Sequence, residues 1–230
     1  FVEHHRLAGL ALHLGVDGTS VLFLPVVALL ALLTVTQASS LPPDRQKAAL
    51  AAVLAFEWSL LGTFASLNLL QFWLFGLAEL VPIAVAIHAF AEPSERRTAL
   101  ARVLTFRILG DALLLLAMVL LAWEMATATP GNWSFDVHRL AEGARNHGWD
   151  ARIGVVLFYG LAMRMALFPF HAWLPAVAAS AWLPINLMVM ASVKVGAYAL
   201  LRFVLPVLPI AVDAWANWVV ALGLAGMVYG

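Results

Sequence analysis

The chain has 230 residues, of which 63% are hydrophobic and only 11% charged, and its mean hydropathy is +0.93. Soluble domains contain about 25% charged residues, so this composition indicates a polytopic membrane protein. The net charge is zero, which provides no basic surface for nucleic acid. The sequence has no cysteine, which excludes disulfides and thiolate-bound iron–sulfur clusters within it.

The chain begins with a polar segment, "FVEHHRLAG", that lacks the apolar core of a signal peptide. We expect residues 1–18 to form an extramembrane lead-in and residues 19–230 to form a transmembrane domain. The chain starts at Phe1 and ends within an apolar run, so we expect it to be part of a longer protein.

Seven apolar stretches follow, each close to the roughly 20 residues that a helix needs to cross a bilayer. They cover residues 19–37, 47–66, 69–90, 98–123, 152–170, 183–204 and 210–230. A membrane span must satisfy its own backbone hydrogen bonds. The sequence therefore predicts an all-α polytopic fold with about seven transmembrane helices.

The loops between these stretches differ in charge and length. Lysine and arginine are concentrated in the short loops 38–47 and 91–97, which predicts that both loops face the cytoplasm, as in a bacterial inner membrane. The long segment 124–151 would lie on the opposite side. Its sequence "SFDVHRLAEGA" predicts an amphipathic helix on the membrane surface.

Several ionisable residues lie inside the predicted spans. A charge at the bilayer centre costs about 2.5–3.5 kcal/mol on insertion scales, so such residues are functional candidates by default. The candidates are Glu57, Glu79, Arg102, Arg107, Asp111, Arg164, Lys194 and Arg202.

Glu79 lies near the middle of the third stretch and is followed by Pro82. A proline frees the carbonyl four residues earlier, here that of Ala78, and this carbonyl could hold water beside the carboxylate. A buried carboxylate is easily protonated, as a proton-loading site requires. The alternative is a structural carboxylate that is hydrogen-bonded to a neighbouring helix.

Lys194 lies half way along the sixth stretch. A buried lysine can lose its proton, whereas arginine cannot, so Lys194 is a candidate proton relay. The alternative is a lysine whose long side chain extends to the membrane surface.

The remaining charges are predicted to support the path. Arg107 and Asp111 are four residues apart and share a helix face, which predicts an internal pair that lowers the cost of insertion; a charged path is the alternative. Arg102 lies one turn into its span and could extend to the surface. Glu57 has no partner nearby in sequence, and its structural and functional interpretations remain equally open.

The segment "RMALFPFHAWLP" places His171 at the end of a span. This histidine could titrate near neutral pH, although an interfacial histidine beside Trp173 is an equal alternative. The sequence shows no metal-ligand spacing, glycine-rich phosphate loop or hydrolase triad. We therefore predict no metal, cofactor or catalytic residue in this chain.

Taken together, these segments resemble the antiporter-like membrane subunits of respiratory complex I, a family shared with Mrp-type cation/proton antiporters. The resemblance covers essentially the whole chain. It is carried by "FVEHHRLAGLALHLGVDGTSVLF", "LGTFASLNLLQFWLFGLAELVPI", "RMALFPFHAWLPAV" and "SVKVGAYALLRFVLPVLP".

The resemblance implies a fold and a mechanism. Members contain two inverted five-helix repeats, each with a broken helix, and this chain would hold the first repeat. Glu79 would pair with residue 164, Lys194 would pass the proton onward, and His171 would join the central chain. The subunit would be non-redox, with flavin, iron–sulfur clusters and quinone held by partner subunits of a multi-subunit complex in the lipid bilayer.

One departure from the family concerns Arg164, because most members have lysine there. Arginine keeps its proton at any relevant pH. In addition, "RVLTFRILGDALLL" resembles the L-type subunit, whereas the lead-in and Lys194 resemble the M-type.

The main hypothesis is proton translocation in a complex I-type NADH:quinone oxidoreductase. The alternatives are an ion-coupled subunit of an Mrp antiporter, membrane hydrogenase or inorganic-carbon uptake complex, and a structural scaffold.

Overall fold

The structure, a computed structural model, describes residues 2–7, 10–128, 133–180 and 182–229. It begins with a two-stranded antiparallel hairpin of β1 (Val2–Leu7) and β2 (Leu10–Gly15). The first helices are α1 (Ser20–Ala38), α2 (Pro43–Ala65), α3 (Leu69–Ala78), α4 (Leu80–Phe90), α5 (Pro93–Ala128) and α6 (Val137–His147). The later helices are α7 (Ala151–Arg164), α8 (Trp173–Ser180), α9 (Leu183–Ala199), α10 (Leu205–Val207) and α11 (Pro209–Tyr229).

The predicted helical membrane fold is confirmed. Within the described residues, five segments are helical, long enough and apolar enough to cross a bilayer: Ser20–Ala38, Pro43–Ala65, Leu69–Phe90, Pro93–Ala128 and Pro184–Val207. The hairpin is an addition that the all-α prediction did not contain. It is joined to the turn between α2 and α3, where the Leu67 amide donates to the His13 carbonyl at 3.0 Å.

The predicted number of seven spans is not confirmed. The stretch 152–170 is interrupted, because α7 has only 14 residues and is therefore about 21 Å long, shorter than a bilayer core of roughly 30 Å. The stretch 210–230 coincides with α11, but its last residue lies outside the described residues. The apolar part found there is the shorter helix Trp215–Val228.

The break after α7 coincides with "RMALFPFHAWLP", as the predicted broken helix requires. The helix ends at Arg164, and Ala166 follows with a φ of 52°, in the left-handed region. Pro169 cannot donate a backbone hydrogen bond and so does not continue the helix. Trp173, which is fully buried, then donates its indole N–H to the Met163 carbonyl at 2.9 Å. This bond ties the start of α8 to the end of α7.

Glycines allow α5 and α7 to approach closely. A Cβ on Gly160 would lie 2.9 Å from the Gly110 carbonyl oxygen and 2.8 Å from Leu114 Cγ. Small residues permit such backbone contact between membrane helices. The contact matters for function, because Gly110 immediately precedes Asp111 and Gly160 lies one turn before Arg164.

The predicted amphipathic helix is present as α6. Its apolar face buries Val137, Leu140 and Ala141. Asp136 caps its first turn by accepting hydrogen bonds from two backbone amides, at 3.0 and 3.1 Å.

The two loops predicted to be cytoplasmic lie at one end of the bundle. Residues at the start of α9 contact the ends of both helices that precede these loops: Trp182, which precedes α9, stacks on Phe90 at the end of α4, with ring centroids 5.3 Å apart. Thr34 Oγ1, near the end of α1, lies 3.3 Å from the Pro184 carbonyl oxygen, although its closer acceptor is the Leu30 carbonyl at 2.7 Å. The hairpin and α6 lie at the opposite end, where Leu14 pairs with Ser66 and Asn68 with Asp136.

Candidate ion-path site

Four charged side chains meet in the interior of the bundle and form what we call the charge cluster. They are Glu79, Arg107, Asp111 and Arg164, each at most 2% exposed. Two carboxylates and two guanidiniums give the charge cluster no net charge. Neutrality matters here, because desolvation of an unpaired buried ion costs several kcal/mol.

Glu79 is bound by both arginines. Arg164 Nη2 donates to Glu79 Oε1 at 2.6 Å, and Arg107 Nη2 donates to Glu79 Oε2 at 3.0 Å. Arg164 also reaches Asp111, with 3.4 Å between Nη1 and Oδ1. Charge-assisted bonds of this kind are stronger than bonds between neutral groups.

Two hydroxyls complete the contacts of Glu79. Ser192 Oγ donates to Oε2 at 2.5 Å and accepts from Arg107 Nη1 at 3.2 Å. Thr63 Oγ1 lies 3.3 Å from Oε1, but its closer acceptor is the Ser59 carbonyl at 2.7 Å. Both hydroxyl-bearing residues are fully buried.

Local sequence explains how Glu79 reaches this position. It lies between α3 and α4, where its amide still donates to the Phe75 carbonyl at 3.2 Å. Pro82 follows and, having no N–H, cannot bond the Ala78 carbonyl. Gly76 lies on the same side one turn earlier, where a Cβ would come within 2.1 Å of Arg164 Nη1. Glycine at this position therefore makes room for the guanidinium.

Aromatic rings surround the charge cluster. Arg107 lies over the Trp173 ring, with its Cζ 5.7 Å from the centroid, and Arg164 lies over Phe72 at 5.6 Å. Both rings are fully buried, so each cation contacts an aromatic face away from lipid. Trp73 adds a hydrogen bond from its indole to the Asp111 carbonyl at 2.7 Å.

The sequence suggested that Arg107 and Asp111 pair with each other, and the structure pairs them differently. Both are buried on one face of α5, but in the described part of the chain they form no ion pair together. Arg107 binds Glu79 and Asp111 binds Arg164. The pairing crosses between helices because the neighbouring helices present opposite charges at closer range.

Lys194 is not part of the charge cluster. It follows Ser192 by two residues on α9, which places it about 200° around the helix axis. Its side chain is exposed, and within the described residues it forms no hydrogen bond or ion pair. The helix therefore separates Lys194 from Glu79.

The other candidate residues also lie apart from the charge cluster. His171 is half-buried in a 3-10 turn, with its ring stacked on Phe168 at 5.7 Å. Glu57 is half-buried on α2, and Arg102 is exposed near the start of α5.

Sequence reasoning did not identify Ser192, Thr63 or Gly76. Serine, threonine and glycine are common in membrane helices, so none of them stands out as a charge does. Among the described residues, no group of three His, Cys, Asp or Glu residues could hold a metal ion.

An ion pair outside the charge cluster connects the lead-in to the turn that follows α9. Arg202 lies in a π-helical turn, Leu200–Val204, and its Nη2 is 3.1 Å from Asp17 Oδ2. Partial burial favours a higher pKa for the Asp17 carboxyl. The amide and hydroxyl of Ser20, the Thr19 hydroxyl and the charge of Arg202 outweigh burial and lower this pKa below its ordinary value of 3.8.

Comparisons with known proteins agree with this fold. A family model described as NADH:quinone oxidoreductase/Mrp antiporter, TM, matches residues 66–230. NADH-quinone oxidoreductase subunit M of Rhodobacter capsulatus is 30% identical over 237 residues, covering 100% of this chain and 46% of that protein. Subunit M of Escherichia coli is 27% identical, covering 96% of this chain and 44% of that protein.

Solved structures give the same result. Respiratory complex I from Thermus thermophilus with bound NADH contains a chain with a TM-score of 0.73 and 27% identity, covering 94% of this chain and 45% of that one. A chain of the Mrp complex from Dietzia sp. has a TM-score of 0.69 and 20% identity, covering 90% of this chain and 39% of that one. It shares the fold. The chain spans about half the length of the curated relatives it matches. It belongs to the NADH:quinone oxidoreductase/Mrp antiporter transmembrane family, and it is a multi-pass membrane protein.

Proposed function

We propose that this chain forms part of a proton-translocating, non-redox subunit of a complex I-type NADH:quinone oxidoreductase. The observation that carries the proposal is Glu79, a carboxylate inside the membrane domain that is fully buried and bound by groups from four other helices. Such a group is a functional candidate by default. The subunit M relatives and the complex I chain support the same assignment.

The chain's own residues would have distinct roles. Glu79 accepts and releases the proton, because a carboxylate can exchange a proton whereas the two arginines that bind it cannot. Arg164 and Arg107 stay protonated and set the field around it. Lys194, on the other face of α9, passes the proton onward, since a lysine at membrane depth can lose its proton.

A second candidate is an ion-coupled subunit of an Mrp-type antiporter, a membrane hydrogenase or an inorganic-carbon uptake complex. The observation that favours it is Arg164, which holds Glu79 and Asp111 at once. A lysine ammonium lacks this planar fork. A permanently charged residue that binds both carboxylates suits a site whose coupling differs from that of a lysine-based pump.

The proposal also includes the membrane, the orientation and the partner subunits of the chain. We place it in a bacterial cytoplasmic membrane, with loops 38–47 and 91–97 on the cytoplasmic side. Its partners are other membrane subunits, as in the multi-subunit complexes that contain the matched chains. Flavin, iron–sulfur clusters and quinone are held by those partners, and His171 takes part in the onward path.

The test is proton transport by inverted membrane vesicles that contain the full-length protein in its complex. Glu79→Gln and Lys194→Ala are each expected to abolish NADH-driven acidification, because each removes a group that exchanges a proton. Subunit content of the vesicles is measured for each variant, and transport is expressed per assembled complex. Arg152→Met is the control, since Arg152 forms an exposed pair with Asp150 at 2.6 Å. Unchanged transport in both test variants would favour a structural scaffold.

Partner identification separates the two candidates. The tagged full-length protein, isolated in mild detergent, is expected to retain peripheral flavin and iron–sulfur subunits that are identified by mass spectrometry. Recovery of a large soluble zinc protein would indicate carbon uptake. Recovery of small membrane subunits alone would indicate an antiporter, and deletion of the gene would then reduce salt tolerance instead of NADH-driven pumping.

A further inference from the structure

Ser192 differs from the other buried hydroxyls of the membrane helices. Thr34, Ser59, Thr63 and Ser66 each have their shortest contact with a carbonyl three or four residues earlier in the chain, at 2.6 to 2.8 Å. This is the usual partner of a hydroxyl in a helix interior. The contacts that Thr34 and Thr63 make with other helices are longer, at 3.3 Å. Ser192 instead donates across helices to Glu79 Oε2 at 2.5 Å.

The direction of the Ser192 hydrogen bond follows from its neighbours. Arg107 Nη1 has only hydrogens to offer, so Ser192 Oγ must accept at their 3.2 Å contact. The single hydroxyl hydrogen is then left for Glu79 Oε2. Ser192 thus bridges one cation and one carboxylate of the charge cluster.

We propose that Ser192 is a positioning residue whose hydroxyl has two hydrogen-bonding positions. It thereby couples the charge of Glu79 to the bend of helix α9. When Glu79 is ionised, the hydroxyl donates to Oε2. When Glu79 carries a proton on Oε2, that proton is donated to Ser192 Oγ, which can accept two bonds. The hydroxyl hydrogen then turns to the carbonyl of Met188, four residues earlier.

The second position affects α9 itself. A serine that bonds the carbonyl four residues earlier often bends its helix. Lys194 lies two residues beyond Ser192 and faces the opposite side of α9. A change in this turn therefore moves Lys194 without any direct contact between Lys194 and Glu79.

Close packing of α9 against the end of α7 limits how α9 can move. Gly196, one turn after Ser192, lies against the break that follows α7, because a Cβ there would be 2.2 Å from Met165 Cγ and 3.1 Å from the Leu161 carbonyl oxygen. This packing fixes the face of α9 that carries Ser192 and Gly196 against the end of α7. A bend of α9 at Ser192 therefore displaces the opposite face, which carries Lys194, because the helix cannot slide along its axis.

The proposal rests on the proposed function in one respect, namely that Glu79 exchanges a proton. The charged groups that face Glu79 are Arg107 and Asp111 from α5 and Arg164 from α7. Both guanidiniums stay charged, and the Asp111 carboxylate is bound to Arg164. The variants that follow leave all three unchanged.

The test is an infrared pH titration of the carboxyl C=O band of Glu79 in the intact purified complex, with the band assigned by its loss in Glu79→Gln. Ser192→Ala removes a donor from the ionised carboxylate, so the titration midpoint is expected to rise by roughly one pH unit. Ser192→Thr keeps the hydroxyl and is expected to restore the midpoint. The pH profile of proton transport is expected to shift in the same direction.

Thr63→Val is the matched control, because it removes a hydroxyl that contacts the same carboxylate but is held mainly by Ser59. In Thr63→Val, the titration midpoint of Glu79 is expected to stay close to that of the unmodified protein. If Ser192→Ala does not assemble, Ser192→Cys provides a weaker donor of similar size, with a smaller rise expected.

Three results would overturn the proposal: an unchanged midpoint in both the alanine and cysteine variants, an equal shift in Thr63→Val, or a Glu79 band that does not titrate. The titration is independent of transport. A shifted midpoint together with transport that does not need Glu79 would reject the proposed function and leave the Ser192 coupling standing. If transport needs Glu79 but the titration midpoint of Glu79 does not shift in Ser192→Ala, the proposed function stands and the role of Ser192 is rejected.

Discussion

At the scale of single residues, the charge cluster depends on balance more than on any one bond. Glu79 and Asp111 supply two negative charges, and Arg107 and Arg164 supply two positive ones, all shielded from solvent and lipid. Removal of one member of a buried pair leaves an uncompensated charge, whereas removal of both is often tolerated. The stability of the protein should therefore follow the net charge of the charge cluster.

This argument predicts the outcome of a double-mutant cycle at Arg107 and Asp111. Arg107→Met leaves a net charge of −1 and Asp111→Asn leaves +1, and each is expected to cost about 3–5 kcal/mol. The double variant is neutral, so its cost should fall below the sum of the two by about 0.5–3 kcal/mol. Thermal unfolding of the purified full-length protein in detergent measures the difference.

The control for this cycle is Arg152→Met, because the Arg152–Asp150 pair is exposed and its loss should leave the unfolding temperature unchanged. Strict additivity at positions 107 and 111 would contradict the importance of charge balance. It would mean that each side chain contributes through its own packing.

The members of the charge cluster could be predicted from sequence, and the family resemblance implied the Glu79–Arg164 pair that the structure contains. The partners of Arg107 and Asp111 could not be predicted. Glu79, Arg107, Asp111 and Arg164 stand out because a charge in an apolar span is costly. The pairing of Arg107 and Asp111 depends on which helix faces lie opposite each other, and their spacing along one helix does not contain that information. Ser192 was missed for a related reason, since its importance comes from Glu79 on another helix.

At the scale of elements, the close approach of α5 and α7 brings Asp111 to Arg164. The Gly110–Gly160 contact allows it, with backbone atoms where side chains would otherwise meet. Hydropathy predicted where α5 lies and where α7 begins, but the predicted stretch 152–170 extended beyond the end of α7 at Arg164. The glycine contact itself could not be predicted, because glycine is common in membrane helices.

Gly160→Ala tests this contact. The new Cβ would meet the Gly110 carbonyl oxygen and Leu114 Cγ at under 3 Å, so α5 and α7 must separate, at an expected cost of about 1–3 kcal/mol. The separation should also lengthen the Arg164–Asp111 contact. Measurement of the unfolding temperature, with and without Asp111→Asn, would show both effects.

Gly223→Ala on α11 provides the matched control, because no atom outside its own helix lies within 4 Å of the new Cβ. Alanine is the better helix former, so this variant should be neutral or slightly stabilising. If Gly160→Ala behaved like Gly223→Ala, close packing would not be what positions Arg164.

At the scale of the whole molecule, α9 divides two environments. On one side Ser192 contacts the charge cluster, and on the other Lys194 is exposed at the middle of an apolar helix. An ammonium facing lipid costs about 2.5–3.5 kcal/mol. The chain also spans about half the length of its curated relatives. We therefore expect Lys194 to face protein and water in the assembled complex.

Cysteine labelling tests that expectation, and this sequence, which has no cysteine of its own, suits the method. In the intact complex, Lys194→Cys should react with a small charged thiosulfonate, because only a hydrated thiol forms the reactive thiolate. Leu29→Cys is the control: Leu29 is 56% exposed at the middle of α1, an apolar helix on which we expect lipid to exclude water. Equal, slow labelling at both positions would show that no water reaches Lys194, and its role as a relay would then be wrong. Fast labelling at position 194 alone would identify a hydrated path that begins on the face of α9 opposite Glu79.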